Sequence, residues 1–354
     1  MAAESDANDD SFEPGEATPV GVKLGSTRTV LKYPDQNGEL TTVRSLTCLA
    51  TYEDAITGSE KALFGERAAA EYPDRVEYML RSGLPEDDER AELADRYFRE
   101  LIAANGVPEE STVVYAVPTM ENDAGLENLT DVIESSAIGG VEMRSYPESL
   151  CGAIPALGDG VEAVDEVFIA VNMGSTNLEA SAYRRGDQLV PFSTGSVTGN
   201  DVDRRIVSNV EEETQGRVHV DLTTAREYKE EHGDFDAFEP FSDVVQQPGG
   251  GSHEFTIEDS VQEALNWYLD AAVDAVANEF LPELANDYMK PYQLALANPI
   301  ALTGGMACIP GMTEEFEKRL SAELDRDVEA VSPDEPDLAA AEGAHRIAER
   351  LAGR

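Results

Sequence analysis

Two glycine-hydroxyl turns, each at the end of an apolar strand-like run, constrain the fold of this chain more than any other feature. A Gly-Ser-Thr turn at residues 25–27 follows the run 20–24, and the same sequence at 174–176 follows the run 167–173. Such a turn leaves backbone N–H groups and a hydroxyl free to face an anion. Both turns are followed by a second strand-like run. The repeat predicts two related α/β lobes that hold an anion between them.

The charge of the chain is extreme. Its 354 residues include 71 acidic and 26 basic side chains, which give a formal net charge of −45 at pH 7. Hydrophobic residues make up 41% of the chain, so we predict a substantial core rather than a disordered acidic polymer. Repulsion at this charge is screened only at high ionic strength. The composition therefore predicts a cytosol of very high salt, as in halophilic archaea.

The acidic surface also excludes classes of partner. The sequence has no basic stretch that could displace counterions from phosphates, so we expect no direct nucleic-acid partner. Residues 1–16 lack the basic start and apolar stretch of a signal peptide, and no apolar run reaches the roughly 18 residues that span a bilayer. We therefore expect a cytoplasmic protein with no direct membrane insertion and a disordered acidic tail at residues 1–18.

Hydrophobic periodicity extends the two-lobe pattern along the chain. The predicted strands lie at 19–32 with a turn inside, 112–117, 141–145, 167–173, 178–184 and 299–303. The predicted helices lie at 86–105, 201–210, 257–288 and 337–351. We assign residues 19–157 and 335–354 to a first lobe and 158–334 to a second, with an exposed insertion at about 233–253, where phenylalanines and a Gln-Pro-Gly run occur.

The two turns and a third glycine motif resemble the nucleotide site of the actin and sugar-kinase superfamily. Residues 20–27 and 170–176 resemble its two phosphate loops. Residues 301–312, ALTGGMACIPGM, resemble its adenosine motif, where glycines let the backbone approach the sugar and base. The filament proteins MreB and ParM carry similar forms of this pattern. The resemblance covers about residues 20–350 and implies an actin-like α/β fold of two duplicated lobes, with ribonuclease H-like cores and a nucleotide cleft between them.

Two further segments complete the nucleotide site that this resemblance implies. Residues 224–233 are similar to the actin-family helix whose Lys-Glu pair flanks the ribose and adenine, although by charge alone they form a solvated helix face. Residues 199–203 match the Gly-Gly-Asp segment of MreB. The implied nucleotide-contacting residues are Lys23, Gly25, Ser26, Thr27, Asn172, Gly174, Ser175, Thr176, Gly199, Asp201, Lys229, Glu230, Gly304, Gly305 and Met306.

Glu148 is the residue to which the resemblance assigns catalysis. The segment 146–154 is similar to the one that, in MreB and ParM, carries the acidic residue that orients the attacking water. A carboxylate in the first turn of a helix also favours the positive end of the helix dipole. Without the other motifs, Glu148 would be interpreted as a helix-start residue only.

Two residues depart from the family pattern at the metal position. Members usually place Asp where this chain has Lys23 and Asn172, and those carboxylates hold Mg²⁺ through its water shell. Lys23 can contact phosphate oxygens directly, and Asn172 can orient a metal-bound water through its carbonyl. The resemblance implies ATP or ADP and Mg²⁺ as cofactors. Slow or altered hydrolysis, and binding without turnover, both stay open.

The resemblance implies an ATP-dependent cytoskeletal protein that forms a homopolymeric filament, with slow ATP hydrolysis coupled to polymerisation. An adaptor or cargo that the sequence does not identify is a further expected partner. Two alternatives remain: a small-metabolite kinase of the same superfamily, and a non-hydrolysing actin-like scaffold. A chaperone is disfavoured because 354 residues leave no room for a substrate-binding domain.

Overall fold

The computed structural model describes residues 17–120, 122–158, 160–246 and 252–353. The acidic tail predicted at 1–18 therefore lies almost wholly outside the described residues. So does the glycine-rich part of the predicted insertion, at 247–251.

The chain alternates between strands and helices. In chain order the strands are β1 (Thr18–Leu24), β2 (Arg28–Pro34), β3 (Leu40–Leu46), β4 (Cys48–Glu53), β5 (Glu60–Phe64), β6 (Glu77–Tyr78), β7 (Ser111–Val117), β8 (Glu142–Pro147), β9 (Val167–Met173), β10 (Leu178–Arg184), β11 (Asp187–Thr194), β12 (Phe241–Gln246), β13 (Ser252–Ile257), β14 (Ile300–Thr303) and β15 (Ala330–Val331). The α-helices are α1 (Gly65–Glu71), α2 (Asp88–Asn105), α3 (Asp123–Glu134), α4 (Glu148–Leu157), α5 (Gly199–Glu213), α6 (Leu222–His232), α7 (Ser260–Asp274), α8 (Leu281–Asp287), α9 (Met289–Ala295), α10 (Met312–Glu323) and α11 (Ala339–Leu351).

Two five-stranded sheets have the same order and the same strand directions. The first runs β3-β2-β1-β7-β8, and the second runs β11-β10-β9-β14-β15. In each, the first three strands form an antiparallel meander and the last two lie parallel to its final strand. Parallel neighbouring strands are joined by crossovers that usually contain helices. In sequence, α2 precedes β7 and α3 follows it, while α5 to α9 precede β14 and α10 follows it. The duplication predicted from the sequence is confirmed at the level of sheet topology.

Two helices lie side by side between the sheets. α4 buries Leu150 and Ala153 with Phe168 and Ala301 of the second sheet. α11 follows the second sheet in sequence but packs on β1 and β7, where Ala344 is fully buried. The chain thus crosses twice between its halves. The lobe bounds at 157 and 335 stay a prediction.

Two glycines allow α11 to pack in close contact with the first sheet and with α4. A Cβ built on Gly21 of β1 would lie 2.2 Å from the Ala341 carbonyl oxygen, and one on Gly343 would lie 1.8 Å from the Cys151 carbonyl oxygen. Backbone cannot yield at such distances, so larger residues would separate α11 from both β1 and α4.

The segment predicted as an exposed insertion is only partly exposed. Phe235, Phe238 and Phe241 pack against the core of the second lobe, and β12 and β13 form a hairpin. The three aromatic side chains cover apolar surface, which is why they occur among so many acids. Across the described residues, no helix is both long enough and apolar enough to cross a bilayer.

Candidate functional site

The two Gly-Ser-Thr turns have matching backbone geometry. The Gly25 N–H donates to the Arg28 carbonyl at 3.2 Å, and the Gly174 N–H donates to the Asn177 carbonyl at 2.9 Å. A Cβ on Gly25 or Gly174 would lie 2.7 or 2.8 Å from the same accepting carbonyl oxygen. Each turn therefore requires glycine because the chain folds back on itself within contact distance.

The turns face each other across the gap between the sheets. The Ser26 Oγ lies 3.0 Å from the Thr176 Oγ1, and the Thr27 hydroxyl donates to the Ser175 Oγ at 2.9 Å. The Ser26 Oγ also accepts the Gly83 N–H at 2.6 Å. Residues about 150 apart in sequence thus place four hydroxyls at one point between the lobes.

A cavity of about 310 Å³ opens beside the paired turns, which is within the range of small-ligand pockets. Its lining combines both turns with α6 and the glycine motif after β14. The predicted residues in this lining are Lys23, Gly25, Ser26, Thr27, Gly174, Ser175, Gly199, Lys229, Glu230, Gly305 and Met306.

Basic side chains are concentrated in the same lining, although the chain as a whole is strongly acidic. The cations are Lys23, Arg28, Arg44, Arg226 and Lys229, against two carboxylates, Glu230 and Asp337. Each cation is paired with a carboxylate. The lining is therefore much less acidic than the molecule as a whole, whose net charge is −45, and it repels an anion correspondingly less.

Sequence reasoning missed part of this lining. Arg28, Arg44, Arg226 and Asp337 were not predicted, yet all line the cavity. Two of them had a local signal: Arg28 directly follows the first turn, and Arg226 precedes Lys229 by three residues, which places both on one face of a helix. Arg44 and Asp337 meet at 2.6 Å only through tertiary packing.

A buried carboxylate fixes the helix face that contributes Lys229. Asp203 of α5 is 1% exposed; its Oδ1 lies 2.5 Å from the Lys229 ammonium and its Oδ2 lies 3.2 Å from the Arg226 guanidinium. The Lys229 ammonium also donates to the Gly199 carbonyl at 3.3 Å. Burial lowers the pKa of Lys229, and the attraction of Asp203 opposes that shift. This network joins α5 and α6 behind the cavity.

Glu230 lies at the cavity mouth and bridges the lobes. Its Oε2 is 3.0 Å from the Arg28 guanidinium, which belongs to β2 of the first sheet. Both side chains are substantially exposed. The pair therefore connects the two sides of the cleft without being deeply desolvated.

Glu148 begins α4 and contacts Lys23. The Glu148 Oε1 lies 2.7 Å from the Lys23 ammonium. Burial lowers the pKa of Lys23, but the attraction and hydrogen bond of the Glu148 carboxylate outweigh it, so the pKa of Lys23 is raised. Lys23 lines the cavity and Glu148 does not, so the predicted catalytic carboxylate reaches the site only through its ion pair with the lysine.

Glu179 is a buried acid that the sequence did not reveal. It lies opposite Asn172 in the β9–β10 ladder and is 0% exposed. Its Oε1 accepts the Thr119 N–H at 3.0 Å and the Asn177 amide at 2.6 Å, while its Oε2 is buried without a partner among the described residues. Burial and the nearby Glu148 charge raise the pKa of Glu179 to about 8, so the carboxyl is mostly protonated at neutral pH.

Four predicted contact residues lie outside the cavity lining. Thr176 faces a second cavity, of about 760 Å³, on the other side of the paired hydroxyls. Asp201 serves the start of α5, where its Oδ2 accepts the Thr198 hydroxyl and its Oδ1 accepts from Arg204. Asn172 is 2% exposed. A Cβ on Gly304 would lie 2.6 Å from the Asn172 Oδ1, so these two residues pack on each other.

The donor set at the predicted metal position does not fit Mg²⁺. That ion takes six oxygen ligands, usually one or two carboxylates with several waters. Here Lys23 places an ammonium at the cavity wall, and Asn172 presses its carbonyl oxygen against Gly304. Within the described residues, no group of three or more His, Cys, Asp or Glu side chains is placed to hold a metal ion.

Two duplicated sheets with paired hairpin turns facing a central cleft define an actin-like protein. Solved structures with this fold include MreB5 of Spiroplasma citri bound to AMPPNP, with a TM-score of 0.75 at 17% identity over 96% of this chain and 98% of that one. They also include the MamK double helical filament, with a TM-score of 0.73 at 17% identity over 93% of this chain and 98% of that one. At this identity the likeness establishes the fold.

Sequence comparison identifies the family. The salactin family model matches residues 17–352. Salactin of Halobacterium salinarum is 62% identical over 336 residues, which cover 95% of this chain and 92% of that protein. The chain belongs to the salactin family. The resemblance to the actin superfamily drawn from the glycine motifs is thereby confirmed, and the acidic composition agrees with a relative in Halobacterium.

Proposed function

We propose that this protein is a cytoskeletal filament subunit that binds ATP or ADP between its lobes and polymerises under the control of that nucleotide. The observation that carries the proposal is the meeting of the two glycine turns beside a cavity lined by basic side chains. Nucleotide binding is further supported by MreB5 of Spiroplasma citri, solved with AMPPNP and with ADP, and by a non-polymerising MamK mutant bound to AMPPNP.

The triphosphate would lie against the two turns. Their backbone N–H groups and the Ser26, Thr27 and Ser175 hydroxyls line the cavity and suit an anion with many acceptor oxygens. In this structure the hydroxyls bond to one another across the cleft. A bound phosphate would take over these contacts and so join the lobes through the nucleotide.

The sugar and base would occupy the part of the cavity lined by α6 and by the motif after β14. Lys229 and Glu230 line it from α6, with Glu230 at the mouth, and Gly305 and Met306 line it from the motif. The buried Asp203 holds Lys229 in place, so this part of the site is organised before a ligand enters. Preorganisation of this kind reduces the entropic cost of binding.

Hydrolysis, where it occurs, would depend on Glu148. The contact with Lys23 uses the Glu148 Oε1, which leaves the Oε2 to accept a hydrogen bond from an attacking water. We expect slow turnover, because Glu148 is held in an ion pair with Lys23 and does not itself line the cavity.

Nucleotide binding would be coupled to polymerisation through thermodynamic linkage. A nucleotide that contacts both turns binds one lobe arrangement more tightly, and so shifts the population toward the arrangement that packs end to end. MamK, of the same fold, is known as a double helical filament. Subunits that each carry −45 repel one another strongly, so assembly should need concentrated salt.

The test is sedimentation and light scattering in concentrated KCl with ATP, with ADP and without nucleotide, followed by electron microscopy of the pellets. Filaments that depend on the nucleotide support the proposal. Phosphate transfer to a small metabolite without a polymer would indicate the kinase alternative. A polymer indifferent to nucleotide, with ATP turnover equal in the parent and in Glu148→Ala, would indicate a scaffold.

A further inference from the structure

Lys23 is a cation in contact with the first phosphate turn. It stands two residues before Gly25 at the end of β1, and its Cε lies 3.3 Å from where a Cβ on Gly25 would be. The side chain therefore passes over the turn itself. Its ammonium lines the cavity and lies 2.7 Å from the Glu148 Oε1.

The position of this ammonium conflicts with a divalent ion at the same place. Like charges within a few ångströms repel strongly where water is scarce, and no cluster of oxygen ligands compensates among the described residues. Asn172, at the equivalent position of the second hairpin, is neutral and buried against Gly304. The site offers a fixed cation where a metal would need carboxylates.

A lysine ammonium can do part of what a bound metal does. It carries three N–H donors, and its pairing with Glu148 uses one of them. The others remain for phosphate oxygens, with which an ammonium forms charge-assisted hydrogen bonds. Lys23 can therefore bridge a phosphate group and Glu148 without leaving its ion pair.

We propose that Lys23 takes the place of Mg²⁺ in this site, so that the protein binds nucleoside triphosphate as the metal-free anion. The inference rests on the proposed nucleotide binding. It assigns to one side chain the charge neutralisation that a divalent ion would otherwise supply.

The direct test is calorimetric titration of the full chain with ATP in concentrated KCl, once with EDTA and once with Mg²⁺. The inference predicts dissociation constants that agree within about threefold. Binding that occurs only with Mg²⁺ would overturn the inference and leave the nucleotide function standing. Absence of binding in both titrations would overturn the nucleotide function together with the inference.

Variants at Lys23 sharpen the test. Lys23→Met keeps the length of the side chain and removes its charge, so metal-free affinity should fall by about tenfold or more. Lys23→Asp should make ATP binding depend on Mg²⁺. Lys23→Asp places a second carboxylate beside Glu148 and so can prevent folding. In that case Lys23→Met alone tests the inference. Metal-free affinity retained in Lys23→Met would contradict the inference.

Lys32→Met is the matched control. Lys32 lies on the neighbouring strand β2 and pairs with Glu342 at 3.1 Å, and its side chain is 16% exposed against 15% for Lys23. It does not line the cavity. The control removes the same charge from the same sheet, and its affinity for ATP in EDTA should match that of the parent.

Discussion

The two hairpins that border the cleft have the same backbone geometry but carry different side chains. In each half the residue two positions before the turn glycine is the last but one of its strand: Lys23 in β1 and Asn172 in β9. Lys23 reaches the cavity as a cation, whereas Asn172 is buried and neutral. Duplication of a hairpin thus determines where these side chains lie, while the charge at each position varies independently.

The lobes also differ in how they hold a carboxylate shared by two cations. In the first lobe Glu342 pairs with Lys32 at 3.1 Å and Arg346 at 2.6 Å, and it keeps about a quarter of its surface exposed. In the second lobe Asp203 pairs with Lys229 and Arg226 and is almost fully buried. Each carboxylate pairs with two cations, but only Asp203 is almost fully buried. We therefore expect its removal to cost much more unfolding free energy than the removal of Glu342.

The largest expected effect is on stability, at Asp203. Asp203→Ala leaves the buried Lys229 without its carboxylate, and removing one partner of a buried pair costs about 3–5 kcal/mol. Glu342→Ala removes a carboxylate that is partly exposed to solvent and should cost less, about 1 kcal/mol. Chemical denaturation in concentrated KCl measures both variants. Equal losses would contradict the distinction between the lobes.

The next effect is a pH dependence at Glu179. Its pKa rises from 4.5 to about 8 on folding, so the folded state keeps a proton that the unfolded state releases. The stabilising contribution is complete below about pH 4.5 and is lost as pH rises toward about 8, at roughly 1.4 kcal/mol per pH unit.

Glu179→Gln keeps an oxygen acceptor for Thr119 and Asn177 and cannot ionise. Its denaturation free energy, measured beside the parent across this pH window, should lack that slope. Parallel curves for the two proteins would show that Glu179 is not the group responsible.

The third prediction tests the equivalence of the turns. Gly25→Ala and Gly174→Ala each place a Cβ within 2.8 Å of a backbone carbonyl oxygen, and such overpacking costs about 1–3 kcal/mol. The two losses should be similar. Gly140→Ala, where an added Cβ would meet nothing within 4 Å, should stay within about 0.5 kcal/mol of the parent. A loss at only one turn would break the equivalence.

The smallest effect is expected at the pair that crosses the cleft mouth. Arg28 and Glu230 are substantially exposed, so a double-mutant cycle of Arg28→Met and Glu230→Gln should give a coupling free energy of about 1 kcal/mol or less. The coupling should shrink further as KCl is raised. A value above about 2 kcal/mol would mean that this contact, rather than the turns, holds the two sides of the cleft together.

The elements with strong local signals were predicted from the sequence. β9 and β10 were predicted with the bounds that the structure has, because an apolar run ends before Gly174 and an alternating run ends at Arg184. α2 was predicted to end at Asn105, where Gly106 adopts a left-handed conformation with φ of 62°. The paired turns were recognisable because glycine is obligatory where backbone approaches backbone.

The elements and contacts that were not predicted depend on tertiary packing. β3 alternates between exposed and half-buried residues, so its apolar content is too low to mark a strand. Glu179 was read as an ordinary strand residue, although the second lobe buries it completely. The pairing of Lys23 with Glu148 joins residues far apart in sequence, so no local pattern could have revealed it.

Hydrogen exchange with mass spectrometry in concentrated KCl, with and without ATP, tests most directly whether one nucleotide is held by both turns. The account predicts that amides at residues 25–27 and at 174–176 become protected together, and to a similar extent. Protection of one turn alone, or of neither while ATP is bound, would contradict it.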